Sequence, residues 1–394
     1  MKKAIFFLIN KKGILYALNL LLLPLLIQAQ RRPSKIVSPE VLPDNSVIFR
    51  LKAPNANSVQ LSGTWPKSFK NMIPMTKVDS VYEIKIGPLP SDMYEYEFIL
   101  DGIPTLDPNS SMVTRDGAWI QNRLMVPGAQ ADIYDVKPVP HGDLKAVWYN
   151  SATLGTERRM FIYTPPGYDK NKKSYPVLYL LHGGGGDEEV WLSRGRANYI
   201  IDNLIATDKA EPMIVVITNG NPVTTAAPLD RLAAMQNKVA PGINSMASGK
   251  FEESLVKDVI PYIESNYRVI ADANHRALTG FSMGGYQTQN ITNANPDKFK
   301  YIGVMSMGLF STFIKDGNYK KEEHVKQLKE LQKNNPKVYW IGIAKDDFLY
   351  SSVVKMKELY DEVGFKYTYR ENEGTHDWNS WRLYLSEFAQ LAFK

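Results

Sequence analysis

The hexapeptide Gly280-Phe281-Ser282-Met283-Gly284-Gly285 constrains this chain more than any other stretch. It joins an apolar run that reads as a strand, Arg276-Ala277-Leu278-Thr279, to one that reads as a helix, Tyr286 to Ala294. A G-x-S-x-G in that setting is a nucleophile elbow: small residues two positions to either side let the backbone turn tightly enough to lift the serine onto the apex. The hydroxyl then stands at the end of a sheet, with the next backbone N–H available to an oxyanion. The bland alternative is a glycine-rich turn that happens to contain serine, and the surrounding chain must decide between the two.

The first 29 residues read as an address. Lys2, Lys3, Lys11 and Lys12 precede an apolar run from Ile14 to Ile27 that ends at Gln28-Ala29-Gln30, the layout of a cleavable secretory signal. The run is too short to span a membrane, so the expected location is secreted or periplasmic, with no membrane contact after cleavage. The segment holds four of the 47 basic residues and no acid, so its removal leaves 43 basic against 41 acidic residues, a net charge of +2. That balance argues against a nucleic-acid partner. With no cysteine in the chain, disulfides, thiol nucleophiles and thiolate metal sites are excluded.

From about residue 38 to 130 the apolar period is two. Val47, Phe49 and Leu51 alternate with polar residues, as do Tyr82, Ile84 and Ile86, then Tyr94, Tyr96, Phe98 and Leu100. Short strands bounded by Pro, Gly, Asp and Asn predict a small all-β immunoglobulin-like sandwich. Residues 131–143, with alternate prolines from Val136 to Pro140, read as a stiff linker. Beyond it, residues 144–394 alternate continuous apolar strands (Val177–Leu181, Met213–Ile217, Ala277–Gly280, Tyr301–Met305, Val338–Ile343) with helical patterns. This predicts an α/β fold, a mostly parallel sheet with helices on both faces. From Asn219 to Lys250 no period is sustained, beyond a short helical pattern at 229–235; the segment follows a buried strand and is expected to line the cleft.

A serine hydroxyl is a weak nucleophile without a base, and the base needs a third group to orient it. In α/β-hydrolases the chain order is serine, acid, histidine, so only His324 and His376 qualify among five histidines. His324 lies on a charged helical face, where a solvated imidazole is expected. His376 lies in Gly374-Thr375-His376-Asp377-Trp378, a turn between a strand and the last helix, and is the predicted base. Asp346 and Asp347 follow the strand ending at Ile343, and both are candidates for the acid. Leu181-His182-Gly183-Gly184-Gly185-Gly186-Asp187 supplies a glycine loop for the second oxyanion donor: Gly184 or Gly183, with Met283 as the first. For His182 the expected role is to hold that loop.

Two resemblances sharpen these readings. Phe49 to Ala56, Val59 to Trp65, Tyr94-Glu95-Tyr96 to Asp101-Gly102 and Asp107-Pro108-Asn109 make residues 38–128 similar to the early-set module called carbohydrate-binding module family 48. That likeness implies glycan binding, with Trp65 and Trp119 as candidate sugar platforms against the alternative of packing. Tyr163-Thr164-Pro165-Pro166-Gly167-Tyr168, the Leu180–Gly186 loop, Pro261 to Arg268, Arg276 to Gly285, Lys345-Asp346-Asp347-Phe348 and Thr375-His376-Asp377-Trp378 make residues 140–394 resemble carbohydrate esterase family 1, the esterase-D-like feruloyl and acetyl xylan esterases. The resemblance favours Asp347 over Asp346, although Ala344 stands where the family often has glycine. It implies a secreted α/β-hydrolase acting through Ser282, Asp347 and His376 on feruloyl or acetyl esters of a polysaccharide such as xylan, with no metal and no cofactor. Trp378, Trp381 and the segment from Asn219 are the candidates for contacting substrate. The rival readings are a siderophore esterase and a non-catalytic glycan-binding protein.

Overall fold

The computed structural model describes residues 36–66, 72–228, 248–309 and 319–394. The signal-peptide reading of residues 1–29 and the helical pattern at 229–235 lie outside them. Among the described residues no helix is long and apolar enough to cross a membrane.

Among the described residues ten strands form the N-terminal module: β1 (Glu40–Val41), β2 (Val47–Lys52), β3 (Val59–Gly63), β4 (Met72–Pro74), β5 (Thr76–Val78), β6 (Val81–Ile86), β7 (Asp92–Leu100), β8 (Ile103–Thr105), β9 (Val113–Asp116) and β10 (Trp119–Val126). One antiparallel sheet runs β1-β2-β6-β5, the other β4-β3-β7-β10-β9 with β8 on β7. Val47, Phe49, Leu51, Leu61, Tyr96 and Phe98 alternate into the core between them. Trp65 joins this core, its ring 6.0 Å from that of Phe49; Trp119 is 63% exposed.

β7 breaks the two-residue rhythm. Met93 and Glu95 on its other face are buried as well, and so is Asp92 at its start, because the second domain covers them. There Arg382, wholly buried, donates to the Met93 carbonyl at 2.8 Å and the Asp92 carboxylate at 3.3 Å. Arg194 meets Glu95 at 3.1 Å and Asp116 at 2.9 Å. The stretch read as linker is packed in its first part: Ala131–Ile133 is a single 3-10 turn, and Ala131 and Tyr134 are buried in the hydrolase core. Tyr134 lies under the Arg382 guanidinium.

The large sheet contains β11 (Asp143–Ser151), β12 (Thr156–Thr164), β13 (Val177–Leu181), β14 (Ile214–Thr218), β15 (Arg276–Phe281), β16 (Tyr301–Met305), β17 (Val338–Ala344) and β18 (Thr368–Asn372). Their order is 11-12-14-13-15-16-17-18, antiparallel for the first two pairings and parallel thereafter. Every residue of β13, β14 and β16 is buried, as expected of strands covered on both faces. Each fully buried Leu, Ile or Val contributes about 1.5–3 kcal/mol of transfer free energy, so these strands anchor the sheet that carries the elbow.

Candidate active site

Ser282 sits at the turn between β15 and the helix Met283–Ala294, with φ 52° and ψ −117°, in the left-handed half of the map. Such a conformation costs a non-glycine residue on the order of 1–3 kcal/mol and persists only where its surroundings impose it. Here the Ser282 N–H donates to the Met305 carbonyl at 2.9 Å, and the Ser282 carbonyl accepts from Tyr286 N–H at 3.0 Å. Gly284 is needed for the close approach: a Cβ there would lie 2.7 Å from the His182 carbonyl oxygen. The first N–H groups of the helix have no partner within it, and the positive end of its dipole faces the serine.

Asp347 and His376 are in direct contact. The acid follows β17, is 4% exposed, and both its oxygens lie on His376 Nδ1, at 2.9 and 2.8 Å. Asp347 also accepts from the Leu349 N–H at 2.8 Å, so the carboxylate is held from two sides. Asp346 is exposed, and the carboxylate on His376 Nδ1 is that of Asp347. His376 is held by the start of the final helix: Asp377 caps it, accepting from Ser380 N–H at 3.1 Å, and Thr375 donates to Asp377 at 2.6 Å. A cap of this kind is worth about 1 kcal/mol and fixes where the preceding residue points. With Nδ1–H facing the carboxylate, Nε2 is the free basic nitrogen.

His376 reaches the serine's neighbourhood through packed rings. It stands edge-on to Trp381 at 5.0 Å, and Trp381 stacks at 3.9 Å on Phe281, the residue before Ser282. Among the described residues no hydrogen bond joins His376 to the Ser282 hydroxyl. Such bonds are commonly long before substrate arrives.

The glycine loop after β13 lies beside the elbow, because β13 and β15 are adjacent. Gly186 N–H donates to the Gly183 carbonyl at 3.2 Å, closing a turn whose third residue, Gly185, has φ +81°. His182, fully buried, holds the loop from inside: Gly220 N–H donates to Nε2 at 2.8 Å, so Nδ1 carries the proton and donates to the Gly183 carbonyl at 2.7 Å. Around Gly184 the position of a Cβ is open, with no atom within 4 Å.

Two candidates for contacting substrate have internal roles instead. Trp378 is 4% exposed, packs against Trp191, Phe281 and Trp381, and donates to Asp116 of the N-terminal module at 3.1 Å. Asn219 is 1% exposed and donates to buried Glu188 at 2.9 Å, while its carbonyl accepts from Arg158. Both lie where a strand or helix end meets another layer, and local periodicity does not reveal such burial. Trp381 is likewise buried. His324 differs from expectation too. It is half-buried, bonded through Nδ1 to the Tyr319 hydroxyl at 2.9 Å, and burial pushes its pKa down to about 4.

Two features at the site were passed over in the sequence. Phe348, 69% exposed, lies with its ring 4.5 Å from His376, and its position next to Asp347 was the available signal. The Asp116-Gly117-Ala118-Trp119 hairpin reaches the glycine loop from the other module: a Cβ on Gly117 would fall 2.1 Å from the Gly185 carbonyl oxygen.

The family described as putative esterase matches residues 151–390, and the glycogen recognition site of AMP-activated protein kinase matches residues 46–132. An endo-1,4-beta-xylanase/feruloyl esterase of Xylanibacter ruminicola is 31% identical over 360 residues, covering 88% of this chain and 44% of that protein. The chain thus spans less than half the length of the curated relatives it matches first. A CE1 ferulic acid esterase from Anaeromyces mucronatus superposes with a TM-score of 0.56 at 25% identity, over 66% of this chain and 95% of that one. The enterobactin esterase of Shigella flexneri shares the fold across both modules, with a TM-score of 0.62 at 15% identity over 89% of this chain and 94% of that one. With the esterase family matching more than half of its residues and an esterase relative aligned along most of this chain, the chain belongs to the putative esterase family.

Proposed function

We propose that this chain is an exported serine esterase that removes feruloyl or acetyl groups from a plant-type polysaccharide such as xylan. The observation that carries the proposal is the Asp347 carboxylate closed on His376 Nδ1 beside a serine in a left-handed elbow. In this reading the Ser282 hydroxyl attacks the ester carbonyl carbon while His376 Nε2 takes its proton, and Asp347 stabilises the imidazolium. The N–H groups of Met283 and of Gly184, or Gly183, receive the oxyanion. Collapse expels the sugar alcohol, which leaves with the proton from His376. Water then enters by the same base and releases the acid. Glycan contact falls to Trp119, whose exposed ring suits the C–H face of a pyranose; Trp65 is committed to the sandwich core.

The test compares kcat/KM of the purified chain on methyl ferulate, acetylated xylan and a catecholate siderophore ester. The proposal expects one of the first two to be preferred by at least tenfold. A preference for the siderophore ester sinks it in favour of the second reading, which the fold shared with an enterobactin esterase across both modules supports.

A further inference from the structure

Four consecutive glycines give the loop after β13 more conformational freedom than any other sequence would, yet an oxyanion donor helps only if it is already aimed when charge develops. His182 fixes the inner side of the loop. Its outer side is fixed by the N-terminal module. Arg115, at the end of β9, forks onto both oxygens of Asp187, the residue that closes the loop, with Nη2 at 3.1 Å from Oδ1 and Nη1 in close contact with Oδ2. The same guanidinium reaches Glu189 at 2.6 Å and the carbonyl of Gly117, its own hairpin tip, at 2.6 Å. That tip is a two-residue turn with Gly117 at φ +55°, pressed against the Gly185 carbonyl. The hairpin is also docked through its backbone: Ser193 Oγ accepts from Arg115 N–H at 2.8 Å and lies 3.1 Å from its carbonyl oxygen.

We infer that Arg115 is a positioning residue for ester hydrolysis: from the N-terminal module it ties Asp187 to the Gly117 tip and so holds the Gly183–Gly186 turn, and with it the Gly184 N–H, in the attitude that receives the oxyanion. The inference rests on the serine-esterase reading above. It makes the module part of the active site rather than a detachable glycan anchor. A guanidinium suits this place because one planar fork meets both oxygens of Asp187, the Glu189 carboxylate and a carbonyl at once, four contacts where an ammonium has three donors and no fork. Asp187 is 2% exposed, so its charge has no alternative partner in solvent.

The test uses the full chain and two esters without a sugar chain, 4-nitrophenyl acetate and methyl ferulate, so that glycan binding does not enter. Losing an oxyanion donor outright costs about a hundredfold to a thousandfold in rate, and a donor that wanders costs less. Arg115→Ala is therefore expected to lower kcat roughly tenfold to a hundredfold with KM within about twofold, and Arg115→Lys to fall between it and wild type. Gly117→Ala keeps every charge but drives a methyl group into the Gly185 carbonyl, and is expected to lower kcat at least about tenfold. If Arg115→Ala does not fold, the other two variants carry the comparison. The control is Arg50→Ala, which breaks ion pairs to Glu40 and Glu83 elsewhere in the same module and is expected to leave kcat unchanged. The inference is overturned if Arg115→Ala and Gly117→Ala keep kcat within twofold, or if Arg50→Ala with an equal drop in melting temperature loses as much. A wild type without Ser282-dependent hydrolysis, judged against Ser282→Ala, overturns the esterase reading and this inference with it.

Discussion

On one side of Ser282 the proposed acid and base come from the ends of β17 and β18 and hold one another; on the other, a loop of glycines is held by a hairpin from a different module. The first wall is self-contained. Its acid, its base and the helix cap that aims the base lie within about 30 residues of chain and one sheet edge. The second wall depends on residues some 70 positions upstream, joined to it by charge and by one backbone contact. The difference teaches that rigidity at this site has two sources: short-range hydrogen bonding where side chains do the work, and long-range clamping where bare backbone does.

The self-contained wall should fail first and most. Asp347→Asn removes the group that fixes the imidazole tautomer, and a change of that kind costs on the order of a thousandfold to ten-thousandfold in kcat. Asp346→Asn should leave kcat within about threefold, since its side chain is exposed and His376 Nδ1 is taken by Asp347. Steady-state kinetics on 4-nitrophenyl acetate decide the matter. A larger loss at residue 346 would mean that the acid is supplied differently from the contact seen here, and the first wall would no longer be self-contained.

The clamp between modules has its own keystone in Arg382. Arg382→Met leaves Asp92 buried without its counter-charge, and breaking a buried pair from one side costs about 3–5 kcal/mol. Burial already pushes the Asp92 carboxyl above the usual carboxylate range, against the pull of Arg382. A carboxyl whose folded pKa is raised holds its proton longer in the folded chain than in the unfolded one, so its contribution to stability declines as pH rises through the folded value. Without Arg382 that pKa climbs further. The deficit of Arg382→Met should therefore be greater at pH 7.5 than at pH 5, as read by urea unfolding. Equal deficits at both values would mean that Asp92 does not feel the guanidinium, and Arg382 would then tie the modules through the Met93 carbonyl and packing.

The same division explains what could be read in the chain beforehand. The elbow, a carboxylate after β17 and a histidine before the last helix are each a local pattern: glycine spacing, a strand end, a turn before a capped helix; between Asp346 and Asp347 the pattern did not choose, and the family resemblance favoured the second. They were legible because a few neighbouring residues dictate them. Trp378 and Asn219 were misjudged because their burial comes from other layers, the first from a hairpin 262 positions away in sequence, the second from Glu188. On β7 the alternation was legible only for the face turned to the sandwich core. Glu95 on the opposite face and Asp92 at the strand's start are charged positions that are buried because arginines from the second domain cover them. Arg115 carries no local signature at all, since a charged residue ahead of a tight turn is ordinary until its partner is known.

The smallest expected effect bears on the first wall's outer surface. His376 lies between two aromatic rings, buried Trp381 edge-on at 5.0 Å and exposed Phe348 at 4.5 Å. Asp347 and Trp381 already fix the imidazole, and the Trp381 indole is itself tied to Ser306 at 3.0 Å, so Phe348 is not needed to aim it. Its exposed face is free to pack on an aromatic acyl group, a contact worth about 0.5–1.5 kcal/mol. Phe348→Ala should then raise KM for methyl ferulate roughly two- to tenfold, with kcat and the kinetics on 4-nitrophenyl acetate little changed. A fall in kcat on both esters would instead make Phe348 a lateral stop for the imidazole. In that case the acid–base wall, like the glycine wall, would rely on a clamp outside its own hydrogen bonds.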